Sequence, residues 1–143
     1  MRAVALKERL AALDDNERWE LLHQTVMSEP HWAVRSDVVR MLSNEPRQEV
    51  WQVLFDSYEK FASPPAYRQT VQLVIGQRYV FDHEGFIQIL RQRPADQRMM
   101  GLQIIADVSH ARDLSALREM AASDPDEAVA DMAGRIVFQM LMR

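Results

Sequence analysis

The stretch Val34-Arg35-Ser36-Asp37-Val38-Val39-Arg40-Met41-Leu42 decides the fold, because the chain carries it four times. At intervals of 33, 30 and 32 residues it meets Tyr67 to Ile75, Gln97 to Ile105 and Val129 to Val137. The fifth position of this frame reads Val38, Val71, Gly101 and Ala133, always small or β-branched, as close approach between helices requires. The eighth reads Met41, Val74, Ile104 and Ile136, and the ninth Leu42, Ile75, Ile105 and Val137. Spacings of one and four residues put these positions on one helical face. Leu42, Ile75, Ile105 and Val137 are therefore expected to form one continuous apolar seam. Arginine is second in three copies, as Arg35, Arg68 and Arg98, and a proline stands a few residues upstream of each.

Outward from this frame, the helical period runs through almost the whole chain and no stretch alternates cleanly enough for a strand. Pro30, Pro46, Pro64, Pro65, Pro94 and Pro125 punctuate it, each just before or at the start of a helical pattern, where a missing N–H costs nothing. Ser28, Ser63 and Asp124 precede prolines and are candidate caps. Asp14 with Glu17, and Asp124 with Glu127, have capping-box spacing. The punctuation predicts about nine helices, over residues 2–13, 15–28, 31–43, 46–61, 65–79, 83–92, 95–109, 112–122 and 126–142. Connections this short favour antiparallel neighbours, and no linker divides residues 1–143, which are expected to form a single domain.

The pattern V-R-x-x-V-V-x-x-L at Val34 to Leu42, entered through Ser-Glu-Pro, resembles the second helix of a HEAT repeat. Ser123-Asp124-Pro125-Asp126-Glu127-Ala128-Val129 resembles the same loop-to-helix entry. Ala130, where the family carries arginine, and Gln97, where an aliphatic residue is usual, depart from it. The resemblance implies an all-α protein: a short right-handed α-solenoid of about four HEAT-like helix pairs over residues 15–142, with residues 2–13 as an N-terminal capping helix. A lone helix pair cannot cover its own apolar stripe, so each must bury it on the next.

Composition sets the outer bounds. Apolar residues make up 48% and charged residues 27%, a globular balance. The absence of cysteine removes disulfides, thiolate nucleophiles and cysteine-based metal centres. The longest apolar runs, Ala3 to Leu6 and Leu10 to Leu13, are far short of the roughly twenty residues of a membrane span. Charge interrupts the apolar residues of the N-terminus, so the expectation is a cytoplasmic protein without membrane contact. The formal charge of -4 repels phosphate backbones and anionic lipid as a whole. Nucleic acid is therefore not the expected partner, because duplex binding draws on a basic excess.

The recurring Arg35, Arg68 and Arg98 have two readings: a ladder that clasps carboxylates of a partner, or side chains bound to helix ends and carboxylates within the fold. The family resemblance implies the second. It also implies that the exposed column of the second helices lines a concave surface. That column holds Ser36, Arg40, Gln69, Gln103, Asp131 and Arg135, with apolar Leu73 and Met99 among them, a mixture suited to a protein partner. Trp51 and Phe55 are expected to be sandwiched inside the fold. Phe138 and Met142 point away from the inner face of the last helix, which suggests a homodimer or a docked partner at the C-terminal helix. The four histidines form no HExxH; His31 and His83 fall at helix starts, and Asp107 with His110 is a weak pair. No nucleophile elbow, phosphate loop or EF-hand occurs, so no catalysis, cofactor or metal is expected. The resulting expectation is a protein-binding module. The alternative is a nucleic-acid-binding or DNA-glycosylase-like HEAT protein using arginine as a phosphate track.

Overall fold

A computed structural model describes residues 3–108 and 113–142, and among them every regular element is helical. The helices are α1 (Ala3–Ala11), α2 (Asp15–Ser28), α3 (Trp32–Leu42), α4 (Glu49–Lys60), α5 (Pro65–Phe81), α6 (His83–Arg91), α7 (Ala95–Val108), α8 (Leu114–Ser123) and α9 (Glu127–Leu141). No described helix is long and apolar enough to cross a membrane. Contacts divide the chain into two compact units, residues 1–78 and 79–143, and the division falls within α5.

The ends of the helices follow from the residues that satisfy their free amides and carbonyls. At the start of α2 the Asp14 carboxylate accepts from the Glu17 amide at 2.9 Å, and the Glu17 carboxylate accepts from the Asp14 amide at 3.4 Å. This capping box holds the Asp14 carboxyl below its ordinary range, chiefly through the Glu17 backbone N–H and then through the Glu17 side chain. At α9 the cap is Asp126, whose side chain accepts from the Val129 amide, and not Asp124. Both Asp124 oxygens are engaged instead by the Arg98 guanidinium. Ser28 does not cap either; its hydroxyl donates back to the Gln24 carbonyl. Helix α4 begins at Glu49, three residues later than the sequence suggests. Arg78 accounts for the delay: its Nη1 donates to the carbonyls of Leu42 (3.0 Å) and Glu45 (2.5 Å), holding the segment after α3 in a non-helical path.

In the first unit α2 packs on α3 and α4, and α1 lies on α3. Its interior is Leu22, Val26, Val38, Val39, Leu42, Leu54, Phe55, Val71, Val74 and Ile75, with Trp51 buried beside them. Tyr67 is buried too, its hydroxyl hydrogen-bonded to Ser57, which ties α5 to α4. In the second unit α9 packs on α8 and α7, and α6 on α7, around Phe86, Leu90, Leu102, Ile105, Leu117, Ala133 and Ile136.

All four fifth-position residues, Val38, Val71, Gly101 and Ala133, are buried. Gly101 shows why the position stays small. A Cβ there would stand 2.3 Å from a methyl of Leu90, so any side chain at 101 would force the Leu90 side chain to shift. Of the expected seam, Leu42, Ile75 and Ile105 are fully buried and Val137 only half so. The buried line of α9 runs Val129, Ala133, Ile136, which turns Val137 partly outward. Gln97 is nearly inaccessible, and its amide oxygen accepts from the buried Arg93 Nε at 2.7 Å, so the polar residue in an aliphatic position is satisfied.

Candidate interaction surface

The three recurring arginines do the same work. Arg35 Nη1, at the entrance to α3, donates to the Glu29 carbonyl at 2.7 Å and to that of Pro30 at 3.2 Å, just beyond the end of α2. Its guanidinium lies 3.8 Å from the centroid of Phe61 and 4.6 Å from that of Tyr67. Arg68, in α5, donates from Nε (3.2 Å) and Nη2 (3.0 Å) to the Tyr58 carbonyl in the last turn of α4, and stacks over the Tyr58 ring. Arg98, in α7, donates to the Arg93 carbonyl beyond α6 at 2.6 Å and makes a two-pronged ion pair with Asp124 at 2.9 Å per arm. In all three cases the helix that carries the arginine sends a cation onto carbonyls at the end of the helix before it, where the helix dipole is negative. Arg78 does similar work outside the repeat frame, which is why the periodic pattern did not single it out.

The column of candidate contact residues divides by burial. Arg40, Gln69, Gln103, Asp131 and Arg135 are exposed, as is apolar Leu73 at 59%. Met99 is half-buried. Ser36, expected in this column, is buried. Its Oγ has no hydrogen-bond partner among the described residues. Arg40 pairs with Asp37 at 3.1 Å on its own helix, a solvent-facing i,i+3 contact. On α9, Asp131 and Arg135 have no ion-pair partner among the described residues, and Phe138 is 65% exposed.

One polar cluster escaped the sequence reading. His83, expected as an exposed helix-start residue, has a side chain only 10% accessible, with Nδ1 3.1 Å from Asp113 Oδ2. The Tyr79 hydroxyl donates to the same carboxylate oxygen, and its ring lies 4.6 Å from the imidazole. Burial, and then the hydrogen bond and charge of Asp113, push the Tyr79 phenol well above its usual range; burial likewise pushes Tyr67 up. These groups come from α5, α6 and the start of α8, distant in sequence, and no local spacing could have revealed them. A cleft of about 680 Å³ lies beside them, its wall including Phe81, Glu84, Arg91 and Glu119, with Arg91 and Glu119 paired at 2.6 Å. The imidazole and the phenol both serve the buried carboxylate, which needs donors to remain buried. Asp107 is exposed, and His110 lies outside the described residues. Among the described residues no cluster of three or more His, Asp or Glu side chains is arranged to hold a metal ion.

Comparison with protein-family models, with curated proteins and with solved structures returned no match for this chain.

Proposed function

We propose that this all-α protein is a non-catalytic protein-binding module of the HEAT-like α-solenoid type. Its exposed second-helix residues, Arg40, Gln69 and Leu73 in the first unit and Gln103, Asp131 and Arg135 in the second, are those each unit offers to a protein partner. The observation that carries this reading is the repeated use of Arg35, Arg68 and Arg98. Each turns its guanidinium inward onto backbone carbonyls or a carboxylate of its own unit. The periodic element of the sequence therefore builds the fold, and the residues that vary from copy to copy are those left outside. A varied polar column with a single large apolar residue suits protein recognition, where an apolar anchor sits within a polar rim.

The same observation weighs against a phosphate track, since the arginines that would form it are already engaged. The test compares affinity capture from the native host by the wild-type protein with capture by Arg40→Glu and Leu73→Glu. Both positions are exposed, so melting should stay within a degree or two while the captured partner is lost. Capture unaffected by either variant refutes this surface. Duplex DNA binding near micromolar that falls steeply with salt would replace the reading with the nucleic-acid one.

A further inference from the structure

We propose that the exposed face of α9 is a self-association site, at which α9 pairs antiparallel with α9 of a second copy of the chain. The inference rests on reading the exposed second-helix face as an interaction surface, and it names the partner for the α9 part. Glu127, Asp131, Gly134 and Phe138 recur at three- and four-residue intervals and fall on one face of the helix, with Arg135 and Leu141 at its edges and Met142 just beyond its end. Phe138, Leu141 and Met142 are all more than half exposed. That is an apolar strip which no described residue covers.

Beside Phe138 runs a shallow groove of about 550 Å³, floored by Ala121, Ala130 and Gly134 and flanked by Asp131 and Arg135. Gly134 has no reason inside the unit to be glycine. A Cβ there would meet only Ala121 Cβ, at an ordinary 3.9 Å, while glycine in mid-helix costs about 1 kcal/mol against alanine. Its open space faces the groove.

The face is complementary to itself. It carries a large apolar projection at Phe138 and a hollow at Ala130 and Gly134, one to two turns away on the same helix. It also carries an acid at Asp131 and a base at Arg135, one turn apart and without ion-pair partners among the described residues. A two-fold axis near the middle of α9 runs the helices antiparallel, which sends each Phe138 toward the hollow of the other copy. It also brings each Arg135 toward the Asp131 opposite. A parallel pairing would set like charges against each other. A foreign partner needs only one of each feature, whereas projection and hollow, acid and base together on one surface are what an isologous contact requires.

The test is sedimentation velocity and light scattering from low to high micromolar concentration, with circular dichroism to verify folding. The wild type is expected to dimerise, and Phe138→Glu to be monomeric with unchanged helicity. Asp131→Arg should weaken association by about tenfold or more, and Asp131→Arg combined with Arg135→Asp should restore it. A wild type monomeric throughout overturns the proposal, as does a Phe138→Glu dimer of full strength. A double variant no better than the single one overturns the antiparallel charge pairing. None of these results bears on Arg40 and Leu73, whose variants test the binding-module reading separately.

Discussion

Substituting alanine for glycine at two positions of the second unit should give effects of opposite sign, and the geometry fixes which is which. At Gly101 the added Cβ would stand 2.3 and 2.8 Å from the two methyls of Leu90 and 3.1 Å from its Cγ. Leu90 is fully buried, so its isobutyl group has no open side to move into. Overpacking of this kind costs about 1–3 kcal/mol, and the helix-propensity gain of about 1 kcal/mol recovers part of it. With three heavy atoms in conflict, Gly101→Ala should lose about 1–2 kcal/mol and lower the melting temperature by about 3–6 °C. At Gly134 the nearest atom is 3.9 Å away, so only the propensity gain remains. Gly134→Ala should be more stable by up to about 1 kcal/mol, or about 3 °C. The assay is thermal and urea unfolding followed by circular dichroism, at concentrations too dilute for association. In a Leu90→Ala background, itself destabilised, Gly101→Ala should become neutral or favourable, since its obstacle is gone. If Gly101→Ala raises the melting temperature as Gly134→Ala does, α6 and α7 do not approach as described.

Leu42 and Ile105 are fully buried, one in each unit, and truncation of either to alanine should cost about 2–5 kcal/mol by urea denaturation. Unchanged midpoints for both would mean that the repeat frame is misread. Arg68→Ala removes two hydrogen bonds to the Tyr58 carbonyl and the stack on the Tyr58 ring, so it should lower stability by about 1–3 kcal/mol. Lost partner capture with unchanged stability would assign Arg68 to recognition instead. Tyr67 and Tyr79 have phenols raised by burial, so above about pH 10 the unfolded chain releases protons that the folded one retains. Stability should therefore be fully present below that pH and fall as pH rises further, with phenolate absorbance from Tyr79 appearing only as the protein unfolds. Phenolate formation by Tyr79 in the folded protein near pH 10, identified by comparison with Tyr79→Phe, would contradict its burial against Asp113.

Helix positions and the buried frame were legible because both are local signals. Proline punctuation located α5 and α7 to the residue at their starts, and the Asp14–Glu17 box fixed α2. The fifth-position rule picked out Gly101 without knowing that Leu90 was the neighbour. What failed depended on contacts between elements far apart in sequence. Asp124 has the spacing of a cap, but Arg98, from the preceding helix pair, engages its carboxylate and leaves Asp126 to cap α9. Ser36 lies on the predicted outer face of an isolated α3, yet it is buried once the helix is packed in its unit. The Tyr79–His83–Asp113 cluster draws one carboxylate from a stretch that no periodicity marks. The exposed candidates were easier, since Phe138 and Met142 stand off the inner face of α9 by helical geometry alone.

Arginine outnumbers lysine heavily in this sequence, and its placement gives a structural reason that composition alone does not. Arg78 is buried, and its two terminal nitrogens reach three carbonyls: Nη1 those of Leu42 and Glu45, Nη2 that of Arg47 at 3.3 Å. The guanidinium plane also lies 5.4 Å from the Trp51 ring centroid. A planar fork with fixed donors can satisfy several diverging carbonyls at once, whereas an ammonium is a single, more strongly hydrated point. Arg78→Lys should therefore not behave as a conservative change. It would leave one or two carbonyls near α3 without their donor, at about 1–3 kcal/mol each, and bury a charge that is harder to strip of water. The expected loss is about 2–4 kcal/mol in urea unfolding. A lysine variant as stable as the wild type would show that charge alone suffices there and that the fork geometry is incidental. At exposed Arg40, whose guanidinium pairs with Asp37 on the same helix, the same exchange should be silent, which provides the internal control.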